Sequence, residues 1–93
     1  MQKNKPRVSV IIINYNGLNF LPRLLDSLYR QTIESYEIIV VDSGSKDESV
    51  EYLRKEHKKL KVTCYPNNGY AFACNRGAEA ASGKYLVFLN IDM

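Results

Sequence analysis

The sequence predicts an α/β fold with a doubly wound parallel sheet, in the element order β-α-β-α-β-α-β. Short runs rich in β-branched residues recur along the chain, and most are apolar on both faces, as is typical of parallel strands covered by helices. Amphipathic segments with helical spacing lie between these runs. Because β-α-β connections are right-handed, such an alternation forms one parallel sheet. The runs lie at residues 8–13, 37–41, 61–65 and 85–89.

The three helices are predicted from different signals. The first carries leucines spaced three and four residues apart, and Pro22 falls in its first turn, where a missing N–H is harmless. The second is predicted to open with a capping box at residues 45–48. The third is predicted to follow residues 67–69, to pack closely on the sheet through small residues, and to end with Gly83 as its C′ residue. The leucines of the first helix are Leu18, Leu21, Leu24, Leu25 and Leu28.

Length and composition indicate one small globular domain. The chain has 93 residues, of which 45% are hydrophobic and 25% charged, so it can bury one core, and disordered classes are excluded. Its purely apolar runs, such as residues 10–13, are too short for a membrane-spanning helix. The net charge of +3 is mild, and the basic cluster at residues 54–61 is predicted to be a solvated helix end. We therefore expect no nucleic-acid partner.

The beginning of the chain and its cysteines predict a cytoplasmic location. Residues 1–7 lead into the first strand without the apolar stretch of a signal peptide. Cys64 and Cys74 form no CxxC motif, and a single histidine cannot complete a usual zinc site with them. We expect both thiols to be free and buried in a reducing compartment. Membrane association of the full-length protein is the alternative.

Polar residues follow each predicted strand at its carboxyl end. They lie at residues 14–17, 42–45, 67–69 and 90–92. In a doubly wound sheet, ligands bind at these ends, near the point where the strand order reverses. Each cluster by itself has the composition of a turn. Together, with an acid after two of the strands, they predict a binding site.

The sequence lacks the motifs that bind phosphate through a glycine loop. Neither GxGxxG nor GxxxxGK[ST] occurs, and only Gly17 follows the first strand. A nucleotide at this edge would therefore be held at its base by side chains and at its diphosphate by a metal ion. Asp92 offers a carboxylate, the hard oxygen ligand that Mg²⁺ and Mn²⁺ prefer.

Several segments resemble the glycosyltransferases of family 2, which have the GT-A fold and use nucleotide-sugar donors. VSVIIINYN at residues 8–16 resembles the family pattern VSVIIPTYN, and YEIIVVDSGS at residues 36–45 resembles FEIIVVDDGS. Residues 68–77 resemble the stretch before the metal motif of the family, and residues 81–92 resemble AxGeYLlFLNpD. The resemblance therefore covers nearly the whole chain, with the motifs in the family order.

The resemblance implies the nucleotide-binding half of an inverting sugar transferase, a truncated and Rossmann-like part of the GT-A fold. Tyr15 is expected to stack on a pyrimidine base, and Asp42 or Ser43 to meet the base edge. Mg²⁺ or Mn²⁺ is expected at Asp92 and Asn90, where it would offset charge developing on the diphosphate. The nucleotide-binding residues that the resemblance implies are Tyr15, Asn16, Asp42, Ser43, Asn68 and Gly69.

The chain departs from the family pattern within these motifs. Ile13 and Asn14 stand where the family has Pro and Thr, and Ser43 stands where many members have a second Asp. Asn90 replaces the first acid of the metal motif, and the resulting Asn-x-Asp form resembles rhamnosyltransferase-like members. This form implies a UDP- or dTDP-linked donor, and the resemblance to the family as a whole implies a saccharide or lipid-linked acceptor. For residues 68–69, a role in loop and helix-cap geometry alone stays open.

We expect residues 1–93 to form a single domain that is the N-terminal fragment of a longer transferase. The acceptor site and the catalytic base of the family lie downstream of the metal motif, so no catalytic residue is assigned within the chain. The fragment alone is expected to bind a donor weakly and to transfer no sugar. Its last strand, apolar on both faces, predicts self-association.

Two other classes of protein remain as alternatives. A nucleotidyltransferase also joins a nucleotide-binding sheet to an acid-bound metal, but residues 16–19 lack the basic loop expected after the first strand. A non-catalytic α/β nucleotide-binding or interaction module is the other alternative. Binding of UDP or dTDP that depends on Mn²⁺ would exclude this module.

Overall fold

The computed structural model describes residues 6–31 and 35–91. In this part of the chain, strands and helices alternate in the predicted order, which confirms the α/β prediction. Their bounds are β1 Val8–Asn14, α1 Leu21–Tyr29, β2 Tyr36–Asp42, α2 Ser49–Glu56, β3 Lys61–Cys64, α3 Tyr70–Ala80 and β4 Tyr85–Asn90.

All strand pairs are parallel, and the strands lie side by side in the order β3-β2-β1-β4. The chain moves outward from β1 through β2 to β3 and then returns to the other side of β1 with β4. This reversal confirms the doubly wound topology and puts the switch point between the carboxyl ends of β1 and β4. In this register Asn14 lies beside Asp42, and Ile13 lies beside Asn90.

The two central strands are buried on both faces, because alternate side chains point to opposite sides of a sheet. Even-numbered residues of β1 and β2 pack with leucines of α1 and α2, and odd-numbered ones pack with α3. Each fully buried aliphatic side chain contributes about 1.5–3 kcal/mol, so the two clusters hold the helices on the sheet. The clusters are Val10, Ile12, Leu21, Leu25, Ile38, Val40, Leu53 and Ile91, and Ile11, Ile13, Ile39, Val41 and Ala73.

The capping box predicted at residues 45–48 is wrong, because α2 begins only at Ser49. The hydroxyl of Ser45 donates to Asp42 instead of capping a helix. At the start of α2, Glu48 makes no side-chain capping bond, and the carboxylate of Asp47 accepts the N–H of Ser49 at 2.9 Å. Residues 45–47 therefore belong to a loop that follows β2.

The prediction that α3 packs closely on the sheet is confirmed, but the prediction for Gly83 is wrong. A Cβ at Gly77 would lie 2.4 Å from Cγ2 of Ile11, so only glycine allows this approach. The helix ends at Ala80 with Ala81 as its C-cap, which leaves Gly83 outside the C′ position. A Cβ at Gly83 would lie 2.6 Å from the hydroxyl oxygen of Ser9, so this glycine serves packing against β1.

Strand β4 is the exposed edge of the sheet in the described residues, where it pairs with β1 alone. Its residues 85–88 are exposed although all four are apolar or aromatic. The prediction of buried thiols is wrong for Cys64, which is exposed at the end of the opposite edge strand, while Cys74 is half-buried. Within residues 6–31 and 35–91, no helix has the length and apolar character needed to cross a membrane.

Candidate nucleotide-binding site

A pocket of about 130 Å³ opens at the switch point, where the carboxyl ends of β1, β2 and β4 meet the segment before α3. Four residues predicted for the site line this pocket. Three further lining residues, Ile13, Asn67 and Ile91, are neighbours of predicted positions, and Tyr70 is an aromatic that the sequence analysis missed. The predicted residues at the pocket are Tyr15, Ser43, Gly69 and Asn90.

Two exposed tyrosines give the pocket aromatic surface. The residue Tyr15 is 45% exposed and Tyr70 is 49% exposed. Tyr70 is the first residue of α3 and follows Gly69, whose φ of 96° lies in the region that favours glycine. The signal that could have identified Tyr70 is its position directly after this glycine, at the ligand-binding edge of the sheet. A hydrogen bond with Cys74 raises the pKa of Tyr70 above its ordinary value of 10.

Asp42 and Ser43 differ in which way they face. Because side chains alternate along a strand, Asp42 faces the side of α1 and α2, whereas Ser43 lines the pocket. Asp42 is only 2% exposed. One of its carboxylate oxygens accepts bonds from Asn14 Nδ2 at 2.9 Å and from the Ser45 hydroxyl at 2.6 Å. The other accepts the N–H of Ser45 at 2.9 Å, so the carboxylate is occupied within the protein.

Asn16 holds the loop after β2 and is not among the lining residues of the pocket. Its side-chain oxygen accepts the N–H of Lys46 at 2.7 Å and that of Asp47 at 3.2 Å. Its own N–H donates to the hydroxyl of Ser45 at 2.8 Å. With a φ of 53°, Asn16 adopts the left-handed conformation that asparagine tolerates better than most residues.

Asn68 is exposed and outside the lining, and the neighbouring Asn67 takes the place at the pocket. The side-chain oxygen of Asn67 accepts the N–H of Gly69 at 3.3 Å. Of the predicted metal residues, Asn90 lines the pocket at the end of β4, and Asp92 lies outside the described residues. Within the described residues, 6–31 and 35–91, no group of three or more His, Cys, Asp or Glu side chains is arranged to hold a metal ion.

Asp47 adds a negative charge near this edge of the sheet. Burial raises the pKa of its carboxyl group, but hydrogen bonds from the Ser49 hydroxyl and from the N–H groups of Leu18 and Ser49 outweigh burial and lower the pKa overall. Asp47 is therefore ionised at neutral pH, and it ties the loop after β1 to the start of α2.

A larger groove of about 820 Å³ lies between α1 and β4 and shares Asn90 and Ile91 with the pocket. Its wall includes two exposed aromatic residues, Phe20 and Phe88. The end of β4 thus lies between the small pocket and the wider groove.

The fold of this chain is that of GT-A glycosyltransferases, as its similarity to solved structures shows. The chain superposes on residues 1–349 of TarS from S. aureus with a TM-score of 0.82 at 29% identity, covering 92% of this chain and 27% of that one. It superposes on the mannosyltransferase PcManGT from Pyrobaculum calidifontis, solved with GDP-Man and Mn²⁺, with a TM-score of 0.80 at 31% identity, covering 97% and 28%.

Residues 9–93 match the family model of glycosyl transferase family 2, and the chain belongs to that family. The uncharacterised glycosyltransferase YibD of Escherichia coli is 36% identical over 95 residues, which cover 99% of this chain and 28% of YibD. The uncharacterised glycosyltransferase EpsJ of Bacillus subtilis is 38% identical over 90 residues, which cover 94% of this chain and 26% of EpsJ. The predicted family is therefore confirmed, and the chain spans about a quarter of the length of these relatives.

Proposed function

We propose that this chain binds the nucleotide of a nucleoside-diphosphate sugar and forms the donor-binding part of an inverting glycosyltransferase. The observation that carries the proposal is the pocket at the switch point of a family 2 chain, lined by Tyr15, Ser43, Tyr70 and Asn90. The mechanism of inversion and the donor-binding role go beyond family membership and are part of the proposal.

The base of the nucleotide is proposed to lie against Tyr15. An exposed ring at a pocket offers a flat apolar face, and stacking of a base on such a ring is worth about 1–3 kcal/mol. Ser43 is the better candidate for the base edge, because it lines the pocket while the carboxylate of Asp42 is occupied by Asn14 and Ser45. Asp42 and Asn16 then act on the site through the loop that they hold.

The diphosphate is proposed to bind at the end of β4 with Mg²⁺ or Mn²⁺. Asn90 offers a carbonyl oxygen at the pocket, and Asp92, two positions later, supplies the charge that a hard cation needs. The ion would offset the negative charge that develops on the departing diphosphate. In support, PcManGT was solved with GDP-Man and Mn²⁺, and glucosyl-3-phosphoglycerate synthase of Mycobacterium tuberculosis with Mn²⁺ and UDP.

The proposed donor carries UDP or dTDP. This part of the proposal rests on the Asn-x-Asp form at residues 90–92, which resembles rhamnosyltransferase-like members of the family. TarS, which was solved with UDP-GlcNAc, supports a uridine nucleotide, whereas the GDP-Man of PcManGT makes guanosine the necessary comparison.

Sugar transfer itself is proposed for the longer protein. An acceptor hydroxyl, on a saccharide or a lipid-linked acceptor, would attack the anomeric carbon while the bond to the β-phosphate oxygen breaks. The hydroxyl proton would pass to a base, and inversion follows from attack opposite to the leaving group. We assign this base and the acceptor site to the part of the relatives that this chain does not span, and we propose a cytoplasmic location for the donor site.

Calorimetric titration with UDP, dTDP and GDP, each with and without Mn²⁺, tests the proposal. Binding of a pyrimidine nucleotide that requires the metal, and that is lost with EDTA or with Asp92→Asn, is the expected result. Tyr15→Ala should weaken this binding, whereas Tyr29→Ala should not, because Tyr29 is equally exposed at 46% but lies at the end of α1. Binding indifferent to metal would favour the non-catalytic module, and no nucleotide binding would overturn the proposal.

A further inference from the structure

The loops that leave β1 and β2 are joined by side-chain hydrogen bonds centred on Asn14. This residue is fully buried, and its Nδ2 donates to Asp42 Oδ1 at 2.9 Å and to the hydroxyl of Ser45 at 3.3 Å. The same hydroxyl accepts the N–H of Asn16 at 2.8 Å. In the backbone, the N–H of Ser43 donates to the carbonyl oxygen of Asn14 at 2.9 Å. Asn14 thus contacts both loops at once.

The Asn14 amide can take only one orientation in this arrangement. Rotating it by half a turn would put its oxygen against the carboxylate of Asp42, which accepts hydrogen bonds and donates none when ionised. Its oxygen instead lies on the side of Gly17, where a Cβ would come within 2.3 Å. That oxygen is buried without a hydrogen-bond partner among the described residues, so the two donor contacts account for the orientation.

Tyr15 lies between two residues that this network holds. Asn14 precedes it and bonds to Asp42 and Ser45, and Asn16 follows it and bonds to Ser45 and to the loop after β2. The ring of Tyr15 is half exposed, so surrounding core atoms do not enclose it. The backbone on either side is therefore the main restraint on where the ring lies.

We propose that Asn14 is a positioning residue of the nucleotide site, which acts on the base through Tyr15. This inference rests on the proposed function, because the position of the Tyr15 ring affects ligand affinity only if a base stacks on that ring. A ring held in place before binding avoids the entropy that ordering it would cost when the ligand arrives. Without the amide of Asn14, Asp42 and Ser45 each lose a donor, and the residue before Tyr15 loses its side-chain contact with the end of β2. Of the two residues that flank Tyr15, only Asn16 then still bonds through its side chain to the loop after β2.

A double-mutant cycle on this chain tests the inference, with UDP and Mn²⁺ as the ligands in calorimetry. Asn14→Ala is expected to raise Kd about tenfold, within the range that loss of a stacked base produces. In a Tyr15→Ala background, Asn14→Ala should change Kd less than twofold, because the ring through which it acts is gone. Asn19→Ala, an exposed asparagine on the same loop, should leave Kd unchanged in both backgrounds.

Circular dichroism at the titration temperature establishes that each variant is folded. If Asn14→Ala is not, Ser45→Ala in the same cycle replaces it, because this change removes the hydroxyl that joins Asn14 to Asn16. The positioning role alone would be overturned if the increases in Kd caused by Tyr15→Ala and by Asn14→Ala multiplied in the double variant. It would also be overturned if a folded Asn14→Ala variant bound with unchanged Kd. Failure of the unmodified chain to bind UDP would instead overturn the donor site, and the positioning role with it.

Discussion

The side-chain amide of Asn14 donates to the carboxylate of Asp42 across 2.9 Å, at the last aligned pair of β1 and β2. The carboxylate accepts two further bonds from Ser45 and is almost completely buried. This contact makes Asp42 a structural member of the site, and it leaves Ser43 as the residue after β2 that faces the ligand pocket.

Asp42→Asn is expected to lower the free energy of unfolding by about 1.5–3 kcal/mol. Its carboxylate accepts three bonds, and a buried hydrogen bond to a charged group is worth about that much. Urea denaturation at neutral pH measures the change. Asp26→Asn is the matched control, because Asp26 forms an exposed ion pair with Arg30, and such pairs contribute about 0–1 kcal/mol. Equal effects of the two changes would contradict the structural role of Asp42.

Tyr15→Ala is expected to weaken UDP binding by about 1–3 kcal/mol while changing stability little, because the ring is proposed to stack on a base and is half exposed in the protein. Tyr15→Phe should keep most of the affinity, since the aromatic face remains. Calorimetry gives the affinity, and thermal unfolding gives the stability. A large loss of stability with unchanged affinity would assign the ring to the core.

Gly77→Ala is expected to destabilise the protein by about 1–3 kcal/mol, the usual cost of overpacking, although alanine favours helices. Its Cβ would lie 2.4 Å from Ile11 Cγ2 and 3.1 Å from Val41 Cγ2, both in the core under α3. Asn75→Ala on the exposed side of the same helix should have a neutral or slightly stabilising effect. Urea denaturation compares the two variants, and a stabilising Gly77→Ala would show that α3 can move away from the sheet.

Glu37 is expected to stabilise the protein at neutral pH and to lose this effect in acid. Burial raises the pKa of its carboxyl group, but bonds from the Ser9 hydroxyl at 2.6 Å and the Ser82 N–H at 2.7 Å, together with the Lys61 ammonium at 3.1 Å, lower it overall. A group whose pKa is lower in the folded state stabilises above its unfolded pKa, near 4.5, and loses this contribution as pH falls through the folded value.

The test of this pH dependence is Glu37→Gln. The variant should be less stable by about 1–2 kcal/mol at pH 7, where a charge-assisted hydrogen-bond network is lost, and the difference should shrink below about pH 4. Urea denaturation at several pH values measures it. A difference that stays constant from pH 7 to pH 3 would show that the charge of Glu37 does not matter.

Self-association through β4 is expected at high micromolar concentration. Leu86, Val87 and Phe88 are consecutive apolar residues of β4, and all three are exposed at the edge of the sheet. Exposed apolar edge strands pair readily with other chains. Light scattering should report species larger than the monomer, and Val87→Lys should reduce them more than Gln31→Lys, which adds the same charge at the end of α1. A strictly monomeric mass would contradict this prediction.

The spacing of hydrophobic residues was sufficient to identify the strands and helices of the fold. The reason is that each element must bury its apolar side chains, whatever the order in which the elements pack. The leucines of α1 and the β-branched runs of β1 and β2 belong to this class. The ends of the strands were equally predictable from the sequence. The polar clusters that include Tyr15, Ser43 and Asn90 were therefore expected together at the carboxyl edge of the parallel sheet, where the pocket lies.

Local patterns failed where a side chain has distant partners. The spacing of Ser45 and Glu48 predicts a helix cap. In the structure, the Ser45 hydroxyl instead donates to Asp42 and accepts bonds from Asn14 and Asn16, which lie about 30 residues before Ser45 in the chain. Gly83 reads as a helix end, but it makes room for Ser9, 74 residues away. Because these contacts join residues that are far apart in the chain, the local sequence around Ser45 or Gly83 does not predict them.

The sequence by itself determined the parallel α/β architecture, the family and the edge of the sheet where the pocket opens, since all three follow from periodicity and motif order. Only the tertiary structure decided which of two adjacent residues, Asp42 or Ser43, faces the pocket, and that Tyr70 joins Tyr15 there. The physical reason is that neighbouring strand residues point to opposite faces. Which face carries the pocket depends on how α3 returns the chain to β4, a long-range property that no short segment specifies.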